Sequence, residues 1–169
     1  MSSDDSSVVE RFGKRLEEAK DYAEVWKTVK ASVEFSLNER RNSIMLFLDD
    51  LPLQLGAYHP IGTNNIVLNR TLVEIVEDSV KLRPAVNALI YNLLLHEYLH
   101  ALGDLSEYDV RLKVIEVAKR CFGERNMATL IARKSPWIML KDIPFESIHA
   151  PKGLLEIVRD FEDAGRYIV

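Results

Sequence analysis

Cysteine is almost missing from this 169-residue chain: Cys121 stands alone, so no internal disulfide can form and a disulfide-stapled secreted mini-protein is excluded. Seven glycines and six prolines are too few for a low-complexity or fibrous chain. An excess of positive charge is missing too. Lys plus Arg number 22 against 26 Asp plus Glu, and the net charge of −4 weighs against nucleic acid or another polyanion as partner. A membrane-spanning run is also absent, because the most apolar stretch, 85–103, is interrupted by Asn87, Asn92, His96, Glu97 and His100. Residues 1–7 lack both the positive and the apolar regions of a signal peptide; they read as a disordered, solvated tail, and the expected compartment is the cytoplasm. Histidine is the last scarcity. The chain has four, and two of them lie within five residues of each other.

What remains is an ordinary globular composition, 47% hydrophobic and 28% charged, long enough for one domain with a real core. Residues 8–169 read as that single domain. From 8 to about 41, Val8, Phe12, Leu16, Ala19, Tyr22, Trp26, Val29 and Val33 recur at helical spacing and predict a long amphipathic helix, broken at most once. Residues 43–48 form a short apolar run ended by Asp49-Asp50-Leu51-Pro52, which suits a buried strand. Residues 53–58 suit a second strand, and 66–69, after a turn-rich stretch, a third. The expected sheet is small, mixed and of about three strands, connected as a meander.

Helical patterning resumes at Pro84 and stops at Leu102-Gly103, where glycine tolerates the left-handed geometry past a helix end. A further helix runs from Ser106 to Phe122, with Ser106 as N-cap, Asp109 three residues on, and Leu105 and Val110 as a hydrophobic staple. Others are predicted over about 124–134 and 153–163. The fold class is therefore α+β, a small sheet covered by several helices.

Inside the Pro84 helix stands His96-Glu97-Tyr98-Leu99-His100. Residues i and i+4 share a helix face one turn apart, so the two imidazoles can bind one Zn²⁺. Glu97 can then reach a zinc-held water and act as its general base. The preceding Leu93-Leu94-Leu95 makes the helix at least half buried, and burying two histidines and a glutamate without partners is costly. A metal site resolves that cost.

On these residues the chain resembles the zincin metalloproteases, most closely the small SprT-like or minigluzincin types. The resemblance covers residues 44–122. It implies an edge strand ahead of the active-site helix that binds a peptide or protein substrate in extended form, and Asn65–Asn69 occupies that place. It also implies a third metal ligand. Metzincins use a third histidine six residues after the second, where this chain has Ser106, and no histidine lies between His100 and His149. Gluzincins use a glutamate from a following helix, which makes Glu107 the nearest equivalent, with Gly103 turning the chain back toward the metal.

Alternatives stay open. Glu107 also suits the positive end of its helix and can pair with Arg111 at i+4. Asp104 is a second candidate ligand and His149 a third. Met139 can form an apolar floor under a metal, and Tyr98 or Tyr108 can donate to an oxyanion. The expected function is a zinc-dependent metallopeptidase with Glu97 catalytic and His96, His100 and Glu107 as ligands. The alternative is a non-catalytic zinc-binding or regulatory peptide-binding module of the same fold.

Overall fold

The computed structural model describes residues 2–141 and 153–162. Among them the chain runs α1 (Ser3–Glu17), α2 (Tyr22–Leu37), β1 (Met45–Asp49), β2 (Ala57–Tyr58), β3 (Asn65–Asn69), α3 (Arg70–Val80), α4 (Arg83–Ala101), α5 (Glu107–Phe122), α6 (Met127–Lys134), a 3-10 turn (Pro136–Leu140) and β4 (Glu156–Ile157). Six helices around a small mixed sheet make an α+β fold. No helix in the described residues is long and apolar enough to cross a membrane.

The axis of the fold is α4. Pro84 sits in its first turn, where a missing N–H is harmless, and fifteen of its nineteen residues are buried. Helices α1, α2, α5 and α6 pack around it on one side, with α3 and the sheet on the other. Polar side chains inside this core bond to backbone or to one another, with Asn87 Oδ1, Asn92 Oδ1 and Thr129 Oγ1 left without a partner among the described residues. Asn87 donates to the carbonyls of Leu16 and Ala19 at the end of α1, and the Tyr91 hydroxyl donates to Ser32 Oγ.

The sheet is not a meander. Its order is β2-β3-β1-β4, with β1 and β3 adjacent and parallel over their full length, Met45 opposite Asn65 and Asp49 opposite Asn69. Consequently Asn65–Asn69 is an interior strand, flanked by β1 and β2. It has no open edge for a peptide, contrary to the expectation from the sequence. The edge belongs to β2, which pairs antiparallel with β3 through Ala57 and Tyr58. Only two residues of the expected 53–58 strand form a ladder, because the carbonyls just before them are already taken. Buried Asn69 donates to the carbonyls of Leu51, Pro52 and Leu55 while its own oxygen accepts from the amides of Leu51 and Leu72. One side chain thus caps α3 and fixes the loop that leads into β2.

Other boundaries also differ. The tail expected over 1–7 is largely helix, because Ser2 and Asp5 form a reciprocal capping box and Asp4 and Asp5 suit the positive helix end. The expected 8–41 helix breaks once, where Asp21 caps α2 by accepting from the Glu24 amide. Helix α3 occupies a stretch between the third strand and Pro84 that had no predicted element. It buries Leu72, Val73 and Val76. The expected last helix is extended chain instead: Val158 N donates to Leu46 O and β4 pairs with the outer edge of β1.

Two carboxylates fasten this strap: Glu162 accepts from Trp26 Nε1, Lys30 Nζ and Ser43 N, and Asp50 holds its start. Asp50, at the end of β1, accepts from Arg70 Nε and Nη2 at 3.2 and 2.9 Å, Thr71 Oγ1 at 2.8 Å and Gly153 N at 2.6 Å. Gly153 is required by this approach, since a Cβ there would lie 2.6 Å from Arg70 Nη2. The Arg70 guanidinium, helped by the Gly153 amide and the Thr71 hydroxyl and opposed by burial, lowers the Asp50 pKa to about 2. The shift from an ordinary carboxylate is equivalent to about 2 kcal/mol of stability. Because the folded value is depressed, that stability is complete above about pH 4 and disappears as the pH falls through about 2. Asp50→Asn is therefore expected to destabilise the protein by about 2 kcal/mol at pH 7 and by much less at pH 2.5. Urea unfolding at the two pH values tests this, and an equal loss at both would refute it.

Candidate metal centre

The last two turns of α4 carry His96 and His100 to the rim of the core, where their ring centroids lie 5.0 Å apart. The chain then has to reverse. Gly103 does so at φ +115°, a conformation unfavourable to any residue with a Cβ, and its amide closes on His100 O. Three residues later Ser106 caps α5, accepting from the Asp109 amide, and Glu107 becomes the first helical residue. This places its carboxylate over both imidazoles. His96 Nε2 lies 2.9 Å from Glu107 Oε2 and His100 Nε2 lies 2.8 Å from Glu107 Oε1. The ligand atoms of all three residues fall within 4.8 Å of one another.

The donor set itself asks for a cation. His100 Nδ1 lies 2.6 Å from the Asp104 carbonyl, which can only accept, so the ring proton sits on Nδ1 and Nε2 presents a lone pair. Burial, assisted by the charges of His100 and Arg111 and opposed by Glu107, holds the His96 pKa below the ordinary imidazole value. Glu107 thus faces a ring nitrogen of each histidine, and with Nε2 of both rings unprotonated the three side chains offer a cation two lone pairs and a carboxylate. The Asp104 carbonyl plays the outer-partner role that fixes the tautomer of a ligating histidine.

The remaining candidates separate cleanly. The Asp104 carboxylate is 2.7 Å from Lys113 Nζ and belongs to that ion pair. Glu107 does not pair with Arg111, since both of its oxygens are engaged by the histidines. The Tyr98 hydroxyl accepts from Arg41 N and donates to Arg41 O, and its ring packs edge-on against Trp26. Met139 packs against the core, Tyr108 is exposed, and His149 lies outside the described residues.

Glu97 is 8% exposed, and burial pushes its carboxyl up to about 7, with the His100 charge opposing and Glu107 adding. It lines, with His96 and Glu107, a cleft of about 430 Å³. One wall is the backbone of Gln54, Leu55, Gly56 and Ala57 leading into the β2 edge; the other is Arg111 and Val114 of α5 with Pro136 and Trp137 of the 3-10 turn. Sequence reasoning missed the two residues that shape this space, Asn69, which fixes the first wall, and Trp137. Asn69 carried a weak signal as a helix-capping residue at the end of an apolar strand.

No family model matches the chain, and neither a curated protein nor a solved structure matches it.

If the three side chains hold a metal, His96→Ala, His100→Ala and Glu107→Ala should each weaken Zn²⁺ binding by more than the ~10–100-fold typical of losing an outer partner. Asp104→Ala keeps the carbonyl that orients His100 and should change affinity by less than about tenfold. Competition titration with a chromogenic chelator reads both effects. Equal affinity in wild type and Glu107→Ala would remove Glu107 from the ligand set.

Proposed function

We propose that this chain is a zinc-dependent metallopeptidase of zincin-like design. The observation that supports this most is the convergence of His96, His100 and Glu107, with His96, Glu107 and the buried Glu97 carboxyl lining an open cleft. Two imidazoles and one carboxylate, three ligands from the protein, are the donor set of a catalytic rather than a structural zinc. Bound there, zinc would polarise a carbonyl and acidify a water molecule.

The chain's own groups then have defined tasks. An extended peptide adds to the open edge of β2, Ala57–Tyr58, using main-chain hydrogen bonds, and the apolar walls hold its side chains. Glu97 takes a proton from the attacking water as its oxygen bonds to the carbonyl carbon. It then gives that proton to the amine nitrogen as the C–N bond breaks. A carboxyl with a pKa near neutrality can do both, and a neighbouring dication would favour its ionised form. The cytoplasm is the proposed compartment, since Cys121 is a buried, free thiol.

The alternative, a peptide-binding module that holds zinc without cutting, makes the same contacts and differs only in turnover. Glu97→Gln is expected to keep one zinc per chain while lowering the hydrolysis of unstructured peptides by at least about 10²-fold. Elemental analysis and mass spectrometry of casein digests measure the two quantities. Zinc-loaded wild type that cuts no peptide would leave the binding module.

A further inference from the structure

The cleft contains one cation that the peptidase chemistry does not use. Glu107, Arg111 and Val114 follow one another at i, i+4 and i+7 along α5 and line the same wall. Among the described residues Arg111 is the single Lys or Arg in that lining, and it takes part in no hydrogen bond or ion pair there. Its natural helix partner, Glu107, is turned to the histidines. The nearby Asp104 carboxylate is occupied by Lys113.

An unpaired guanidinium one turn from a place for a dication repels that dication. The arrangement becomes favourable when an anion enters the cleft with the substrate. Guanidinium groups select planar carboxylates through paired N–H donors. Away from His96, Glu97 and Glu107 the lining mixes apolar side chains (Leu55, Leu93, Val114, Ala132 and Trp137) with the neutral polar Gln54, Asn92 and Ser135, so Arg111 is the group there suited to an anion, and the apolar part suits aliphatic side chains. Four residues of helix separate Arg111 from Glu107 by about 6 Å, roughly two residues of an extended peptide.

Resting on the peptidase reading, we propose that Arg111 sets the substrate class: peptides with a carboxylate within about two residues of the bond to be cut, on an otherwise apolar segment. That carboxylate is either the free end of the chain or an aspartate or glutamate side chain.

Binding tests this apart from turnover. Zinc-loaded Glu97→Gln protein is titrated with fluorescein-labelled pentapeptides of alternating leucine and alanine, read by fluorescence anisotropy. One peptide ends in a free carboxylate, and one is amidated. Two further amidated versions carry aspartate or asparagine at the centre. At least one carboxylate peptide should bind about 10- to 100-fold tighter than its neutral counterpart, and the winning pair identifies the source of the carboxylate. With Arg111→Gln added that ratio should fall to within about twofold, and with Arg111→Lys it should be partly kept. No carboxylate preference, a preference that survives Arg111→Gln, or no binding of any peptide each overturns the proposal. An Arg111-dependent preference in a protein whose wild type cuts none of the four upholds the carboxylate site and sinks the peptidase reading. Cleavage by wild type without a preference in binding does the reverse.

Discussion

Burial of α4 on nearly every side is the constraint on which the molecule depends. A helix surrounded by five others and a sheet carries polar side chains only at a cost that hydrogen-bond partners have to offset. Asn87 is accommodated by the open carbonyls at the end of α1, and Tyr91 by Ser32. His96, Glu97 and His100 come last, where the helix leaves the core. Their partners have to arrive from outside it. Gly103, the Ser106 cap and the first residue of α5 deliver Glu107 within one tight reversal, so the site is assembled almost wholly from a single helix-turn-helix.

The wall of the cleft that leads into β2 is assembled at longer range. The loop over 51–55 has no hydrophobic core of its own, and its backbone is held by the one buried amide of Asn69. That amide simultaneously caps α3, so the start of a helix and the position of the β2 edge are set by the same side chain. Leu93 of α4 lies close under Gly56, where a Cβ would come within 2.6 Å of its Cδ2. The strand edge and the two histidines are therefore referred to the same helix. On the far side of the sheet, Asp50 and Arg70 fasten the terminal strap to β1, away from the cleft.

Much of this was legible in residue order. His96 and His100 at i, i+4, the stop at Gly103, the cap at Ser106 and the nomination of Glu107 all follow from helical periodicity and capping chemistry, which act over a few residues. The misreadings have longer reach. Residues 153–163 look helical because their apolar spacing is permissive, but the free edge of β1 recruits Glu156–Ile157 as a short strand. Residues 53–58 look like a strand until Asn69 takes their neighbouring carbonyls. The α+β class survives both errors because it depends on the long apolar stripes, which the errors do not touch.

The sequence by itself determined the pairing of two histidines on one helical face with a glutamate beside them, fixed by 3.6 residues per turn, and nominated Glu107 through the stop at Gly103 and the cap at Ser106. Only the tertiary structure decided that β3 lies inside the sheet and β2 at its edge. It also decided that Asp104 belongs to Lys113, and that Arg111 stands without its expected partner in the cleft. Strand order and the choice among competing ion pairs depend on which surfaces meet across many intervening residues. Local periodicity carries no information about that.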